Sequence, residues 1–310
     1  MKIIRSLADI NIKGNSAIMI GNFDGVHLGH QEIIKENLEI AKNKNLKTLL
    51  ITFEPHPIKF LKPDQNYDFR ITSLSEKLRI LKEFKLDYVA ILPFNHNLSE
   101  FSANDFLQKI LLNSFKMKHL TIGHDFIFGK NRTGNFSLLE EESKKFNFTI
   151  KQIKEISLNG QKCSSTIIRQ QIKNGNIYQS NQLLNRYFSI SGIIVEGKKI
   201  AQDIGFPTCN IKPTHHIIKP KFGVYESLIK IGNQTKLLKS ITNFGIRPTI
   251  ENTNSPIFET HILNFNQEIY QQKATVFLKK FITEEKKFNN IKQLKEQIIS
   301  DIDSVFNIIN

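Results

Sequence analysis

The chain has 310 residues, 40% hydrophobic and 23% charged, with a net charge of +14. That is ordinary globular usage and enough chain for about two domains of ~150 residues, each with its own core. No apolar run approaches the ~20 residues of a membrane helix, Met1–Ile10 does not read as a signal peptide, and two cysteines exclude a disulfide framework or a four-ligand zinc site.

The first half alternates strands and helices. Ser16–Ile20 is a short apolar run ending at Gly21 and reads as a strand. Gln31–Lys42 carries Ile33, Ile34, Leu38 and Ala41 at helical spacing, and Lys47–Phe53 reads as the next strand, stopped by Pro55 and Pro57. Helix is predicted over Ser75–Phe84, Ala103–Leu112 and Leu138–Phe146, and strand over Tyr88–Leu92 and His119–Ile122. This order predicts a doubly wound parallel sheet. Beyond Tyr187 the segments become short and alternating: Ser189–Val195, Val224–Ile231, Lys236–Asn243, Phe258–Leu263 and Ala274–Lys280. They predict an antiparallel β-barrel, closed by an amphipathic helix over Ile291–Ile309. Asn181–Arg186 is the candidate linker, giving domains 1–184 and 185–310.

One stretch concentrates chemistry. Gly21-Asn22-Phe23-Asp24-Gly25-Val26-His27-Leu28-Gly29-His30 follows a strand and opens a helix. His-x-Gly-His places two imidazoles on one face of the first turn, beside free amides and the positive end of the helix dipole. Gly25 and Gly29 let backbone approach a ligand, so the stretch is a candidate anion cradle. Cys163-Ser164-Ser165-Thr166-Ile167-Ile168-Arg169 offers hydroxyls at a helix start and an Arg one turn in. Alone, Ser165-Thr166 is an ordinary N-cap; beside the histidine motif it reads as half of a triphosphate clamp. Thr52-Phe53-Glu54-Pro55-His56-Pro57 and Gly123-His124-Asp125-Phe126-Ile127-Phe128-Gly129-Lys130 both follow parallel strands, where open sheets bind ligands. The second superficially resembles a P-loop, but it has five residues between the glycines and Asn131 where Ser or Thr would hold magnesium, and it is discounted.

These four motifs, in this order, resemble the FMN adenylyltransferase module of prokaryotic bifunctional riboflavin kinase/FAD synthetases, and the resemblance covers essentially the whole chain. It implies a Rossmann-like nucleotidyltransferase domain in which His27 and His30 stabilise the α-phosphate and the transition state. Asn22, Phe23, Asp24, Gly25 and Gly29 would line the nucleotide site. Ser164, Ser165, Thr166 and Arg169 would hold the outer phosphates, and Phe53, Pro55, Asp125, Phe126 and Phe128 the flavin side. In the second half, Gly205-Phe206-Pro207-Thr208-Cys209-Asn210, Asn243-Phe244-Gly245-Ile246-Arg247-Pro248-Thr249 and Phe258-Glu259-Thr260-His261 resemble the riboflavin kinase module, with Cys209 for the usual Ala. Gly205 and Thr208 would then contact ATP, Thr208 and Asn210 magnesium, Arg247 the flavin, and Glu259 would be the base for the ribityl hydroxyl.

The kinase half departs from that pattern. Ala201-Gln202 stands for Gly-Arg, Glu196-Gly197 for His-Gly, Tyr270-Gln271 for Tyr-Gly, and Thr283 for an Arg whose companions Glu285 and Phe288 remain. Two changes remove a positive charge, which implies a weakened kinase. The resemblance thus implies a cytoplasmic enzyme taking riboflavin to FMN to FAD with Mg2+ and ATP, or alternatively a monofunctional FAD synthetase with a degenerate kinase module. A nucleic-acid-binding regulator is the third reading. The basic excess, however, is spread over both halves without a patch, so neither nucleic acid nor membrane is expected as a partner.

Overall fold

The computed structural model of the chain describes residues 1–62, 68–196, 205–213, 216–246, 256–286 and 290–306. They form two compact units: Met1–Tyr67 with Leu74–Ser165, and Asp68–Ser73 with Thr166–Asn310.

In the first unit the strands are β1 Lys2–Ile4, β2 Ser16–Ile20, β3 Lys47–Glu54, β4 Tyr88–Pro93, β5 Met117–Gly123 and β6 Thr149–Ile153. The helices are α1 Leu28–Asn43, α2 Pro57–Leu61, α3 Leu74–Glu83, α4 His96–Ser99, α5 Ala103–Asp105 and α6 Phe136–Phe146. A π-helical segment, Phe106–Ser114, continues α5 where a regular helix is predicted, and a small hairpin pairs β7 Ser157–Leu158 with β8 Gln161–Lys162. The six long-range strands pair in parallel in the order β1-β4-β3-β2-β5-β6.

Strand alternation feeds two cores. Ile18, Ile20, Leu49, Ile51, Ala90 and Leu92 face one side, against Phe106, Leu107 and Leu139. Met19, Leu50, Val89 and Ile91 face the other, against Ile33 and Ile34 of α1 and Ile80 and Leu81 of α3. Both faces are covered, as a parallel sheet requires. The chain runs from β2 to β3 on one side and returns to β5 on the other, so the order reverses at β2. Loops at that carboxyl edge flank the crevice in which open sheets place ligands.

One polar chain ties the sheet to α1. Asn37 Nδ2 donates to the Ile18 carbonyl (3.1 Å) and to Thr121 Oγ1 (3.0 Å). His119 reaches Thr121 Oγ1 through Nε2 (3.0 Å) and Thr149 Oγ1 through Nδ1 (2.7 Å). Burial, with Lys44 and Lys151 adding repulsion, lowers the His119 pKa from its ordinary 6.5 to about 4. The folded state therefore keeps His119 neutral where the unfolded chain protonates it, and stability is lost as pH falls from 6.5 toward 4. Urea unfolding midpoints should drop between pH 7 and pH 5, and His119→Gln should flatten that dependence; an unchanged slope would show that His119 does not contribute.

In the second unit α7 Ser165–Lys173 (its first residue belonging to the other unit) and α8 Ile177–Leu184 precede a barrel of β9 Phe188–Val195, β10 Thr208–Pro213, β11 Gly223–Ile231, β12 Leu238–Ile246, β13 Pro256–Ile262 and β14 Lys273–Thr283. Helix α9 Ile291–Phe306 follows. The barrel is antiparallel and closed in the order β10-β13-β12-β11-β14-β9, with β9 pairing β10. Strand β10, which has only two apolar residues, is not predicted from periodicity.

The expected linker is ordered structure instead. Asn181–Leu184 is the last turn of α8, with Leu183 and Leu184 buried and the helix packed on β14 and β9. Asn181 donates from Nδ2 to the Leu278 (2.9 Å) and Lys279 (3.2 Å) carbonyls and accepts the Phe188 amide (2.6 Å). Two adjacent leucines seal the helix against the barrel, and the amide meets strand groups that would otherwise be unsatisfied.

Inside the barrel Ser227 Oγ lies 2.8 Å from both Ser240 Oγ and Thr242 Oγ1, and Thr242 Oγ1 lies 2.9 Å from Thr260 Oγ1. All four residues are fully buried. Gln271, which stands for the family glycine, has φ 62°, the left-handed conformation that glycine adopts without a Cβ penalty. That departure concerns a turn.

Candidate active sites

The Gly21–His30 loop leaves β2 at the sheet's reversal point. Phe23, Gly25 and Val26 have φ of 47°, 80° and 40°, coiling the chain tightly before α1. The coil buries Phe23, Asp24 and Val26 and delivers His27 to the N-cap of α1. One turn on, the His30 ring stacks on that of His27, with centroids 3.7 Å apart at 20°, and Phe23 lies 5.0 Å from His30. A Cβ on Gly29 would come within 3.3 Å of the His27 ring, so the small residue leaves that ring its place.

The loop is braced from three sides. Lys77 of α3, only 3% exposed, donates from Nζ to the Asn22 carbonyl (2.7 Å), and Thr52 Oγ1 donates to the same oxygen (3.1 Å). Gln31 Nε2 donates to the Val26 carbonyl (2.9 Å). Ser165 Oγ donates to the Asp24 carbonyl (2.9 Å), tying the hydroxyl run to the histidine loop. Further along α7, Arg169 Nε donates to the Phe69 carbonyl (2.9 Å), and its guanidinium sits 5.4 Å over the Phe69 ring.

Strands β3 and β5 both neighbour β2, so their carboxyl-end loops flank the histidine loop. Phe53, near the end of β3, and Pro55, just after it, are half-buried. After β5, Asp125 is exposed, while Phe126 and Phe128 stack on each other at 5.5 Å and 17°. Phe53, Phe126 and Phe128 also pack on the core, so each anchors its segment at the carboxyl edge of the sheet. Lys130 forms an ion pair with Glu100 (2.6 Å).

On the barrel, Thr208 Oγ1 donates to Glu259 Oε1 at 2.9 Å across 51 residues of sequence. Glu259 pairs with Asn210 on one neighbouring strand and Asn243 on the other, so three oxygen-bearing side chains share its outward face. The Asn243 Oδ1 is buried and has no hydrogen-bond partner among the described residues. His261, on the same face, contacts the Pro207 carbonyl through Nδ1 (2.9 Å) and meets the Phe206 ring edge-on at 5.4 Å, fixing the Gly205–Thr208 entry. Burial lowers the His261 pKa, and its ring N–H to the Pro207 carbonyl holds that turn. Hydroxyl, amide and carboxylate oxygens are the donor set a hard divalent cation takes.

An FAD synthetase family model matches residues 9–167 and a riboflavin kinase family model matches residues 184–309. A bifunctional riboflavin kinase/FMN adenylyltransferase from Buchnera aphidicola subsp. Schizaphis graminum is 39% identical over the full length of both chains. The chain belongs to the bifunctional riboflavin kinase/FMN adenylyltransferase family. The Escherichia coli K12 protein of the same description is 33% identical, covering 97% of this chain and 96% of its own. The crystal structure of a macrolide-efflux protein from Streptococcus pneumoniae covers all of both chains with a TM-score of 0.90 and 26% identity. It shares the architecture. No helix among the described residues is long and apolar enough to cross a membrane.

With the family known, the motif residues sort by placement. The structure brings His27, His30, Asp24 and Ser165 together at one loop, and Thr208, Asn210 and Glu259 on one barrel face. Arg247, Ala201 and Gln202, with Phe288, lie outside the described residues. Thr283 ends β14, opposite Val224. Glu285 remains near the barrel site: a Cβ on Gly245 would collide with its carboxylate. Lys77 was not among the expected site residues. Its signal was a lysine between Leu74 and Leu81 on the apolar face of α3, where only a satisfied cation can be buried.

Proposed function

We propose that the chain phosphorylates riboflavin to FMN at the Glu259 site and adenylylates FMN to FAD at the His27–His30 site, using ATP in each step. The observation that carries the reading is the stacked histidine pair at the reversal point of the sheet, together with the Thr208–Glu259 contact on the barrel. The two chemistries need different groups. The FMN phosphate is mostly dianionic at neutral pH, with a second pKa of ~6, and needs no base. It needs alignment on the ATP α-phosphate and donors where charge develops, the roles assigned to His27 and His30. Ser164, Ser165, Thr166 and Arg169 hold the outer phosphates; Phe53, Pro55, Asp125, Phe126 and Phe128 take the flavin. Riboflavin attacks through an alcohol, which must lose a proton, and Glu259 accepts it.

Mg2+ fits the barrel face, where Thr208 and Asn210 would hold it beside the buried Asn243 oxygen; when bound, it neutralises phosphate charge. Gly205 and Thr208 contact ATP, and Arg247 the flavin. A cytoplasmic location suits two buried free thiols. Residues 1–184 are assigned to adenylyl transfer and 185–310 to the kinase. The test is incubation of the full chain with riboflavin and Mg-ATP, with FMN and FAD followed by chromatography. Both should accumulate in sequence; FAD from added FMN, but no FMN from riboflavin at millimolar Mg-ATP, would leave only the adenylyltransferase. The same assay on a 1–184 fragment tests the boundary.

A further inference from the structure

Cys163 is a buried free thiol just before the hydroxyl run, and the chemistry above gives it no role. Its Sγ lies 3.6 Å from Nδ1 of His27, within hydrogen-bond range for sulfur. Burial pushes the thiol pKa up, and the amides of Leu28 and Gly29, which face the sulfur from the start of α1, oppose that rise. The Cys163 backbone is itself held: its N–H donates to the Ile156 carbonyl at 2.8 Å. The His27 ring is therefore stacked on His30 by its face and meets a sulfur at its Nδ1 edge.

Counting protons sets the direction of that contact. An amide N–H can only donate, so the sulfur accepts from Leu28 and Gly29. A proton on Nδ1 would set a third donor against a weak acceptor. The thiol has one proton to give, and a neutral Nδ1 can take it.

We propose that Cys163 is a positioning residue for adenylyl transfer: its S–H donates to Nδ1 of His27 and holds the ring in the tautomer protonated on Nε2. The Nε2–H of that tautomer is a donor suited to a phosphate oxygen of the nucleotide. A group bonded to one ring nitrogen fixes what the other does, as in other histidine sites. The inference rests on the assignment of His27 above.

The tautomer can be read without an activity assay. In the full-length native chain labelled with 15N-histidine, His27, assigned by the signals missing from His27→Gln, should show an unprotonated Nδ1 and a protonated Nε2. A protonated Nδ1 overturns the proposal by itself. In adenylylation of FMN with Mg-ATP, Cys163→Ala should lower kcat about 3- to 10-fold, the scale of one neutral hydrogen bond, with KM for both substrates within about twofold. Cys163→Ser, which keeps a donor, should recover roughly half or more of the native kcat on the same scale. Equal loss in both variants, or none in Cys163→Ala, overturns the proposal. Full activity of His27→Ala would instead remove the assignment beneath it, an outcome distinct from a wrong tautomer.

Discussion

Replacing His27 or His30 by alanine should lower FAD formation from FMN about 100-fold or more, the scale for losing a preorganised contact to developing charge. The two rings stack at 3.7 Å on the first turn of α1, so each variant also removes the other's support, and the double variant should lose less than the product of the single losses. Folding should change little. Both rings sit at the start of α1, where polar side chains contribute ~1 kcal/mol. Phosphorylation of riboflavin by the same preparations is the internal control. Near-native FAD formation in both single variants, with folding intact, would end the assignment.

Glu259→Gln should abolish FMN formation from riboflavin, a loss of about 10²- to 10⁴-fold for a missing general base, while adenylylation of added FMN persists. Glutamine keeps the size and an oxygen that can still accept from Thr208 Oγ1, so the barrel face keeps its shape and loses only basicity. Steady-state FMN production at saturating Mg-ATP reads this directly. Substantial kinase activity in the variant would mean that another group takes the ribityl proton. By the family resemblance, the departures at Ala201 and Gln202 would bear on how well ATP is held. A missing charge-assisted hydrogen bond costs ~1.5–3 kcal/mol, enough to weaken the step about 10- to 150-fold without removing the base.

The architecture was largely legible because periodicity changes along the chain: helical and strand patterns alternate up to Leu184, and short alternating strands follow. The elements that escaped lack that signal. Strand β1 is three residues long, β6 is mixed, and β10 reads as a motif, its pairing supplied by β9 and β13. Asn181–Arg186 looked like a linker because its polar residues face strands that only tertiary structure brings near. For the candidate sites, local motifs pointed to the histidine loop and Glu259. They could not locate what reaches across the fold: Lys77 under Asn22, or Thr208 against a carboxylate 51 residues away. Cys163 was visible as a residue, but its neighbour His27 lies 136 positions earlier.

The buried hydroxyls of Ser227, Ser240, Thr242 and Thr260 constrain how this barrel can change its sequence. Removing one oxygen from the chain strands a partner in a dry interior, at a cost of ~1–3 kcal/mol, whereas exchanging all of them for apolar groups of similar shape can be nearly neutral. Between those end points lie less stable intermediates, so the four positions are coupled and should drift as a block. The same coupling resists misalignment while the barrel closes: sliding β12 by one residue turns Ser240 and Thr242 outward and breaks every link at once. The chain thus acts as a combination lock on strand alignment, and Thr208, Asn210 and Glu259 come into line on the opposite face only when it is set.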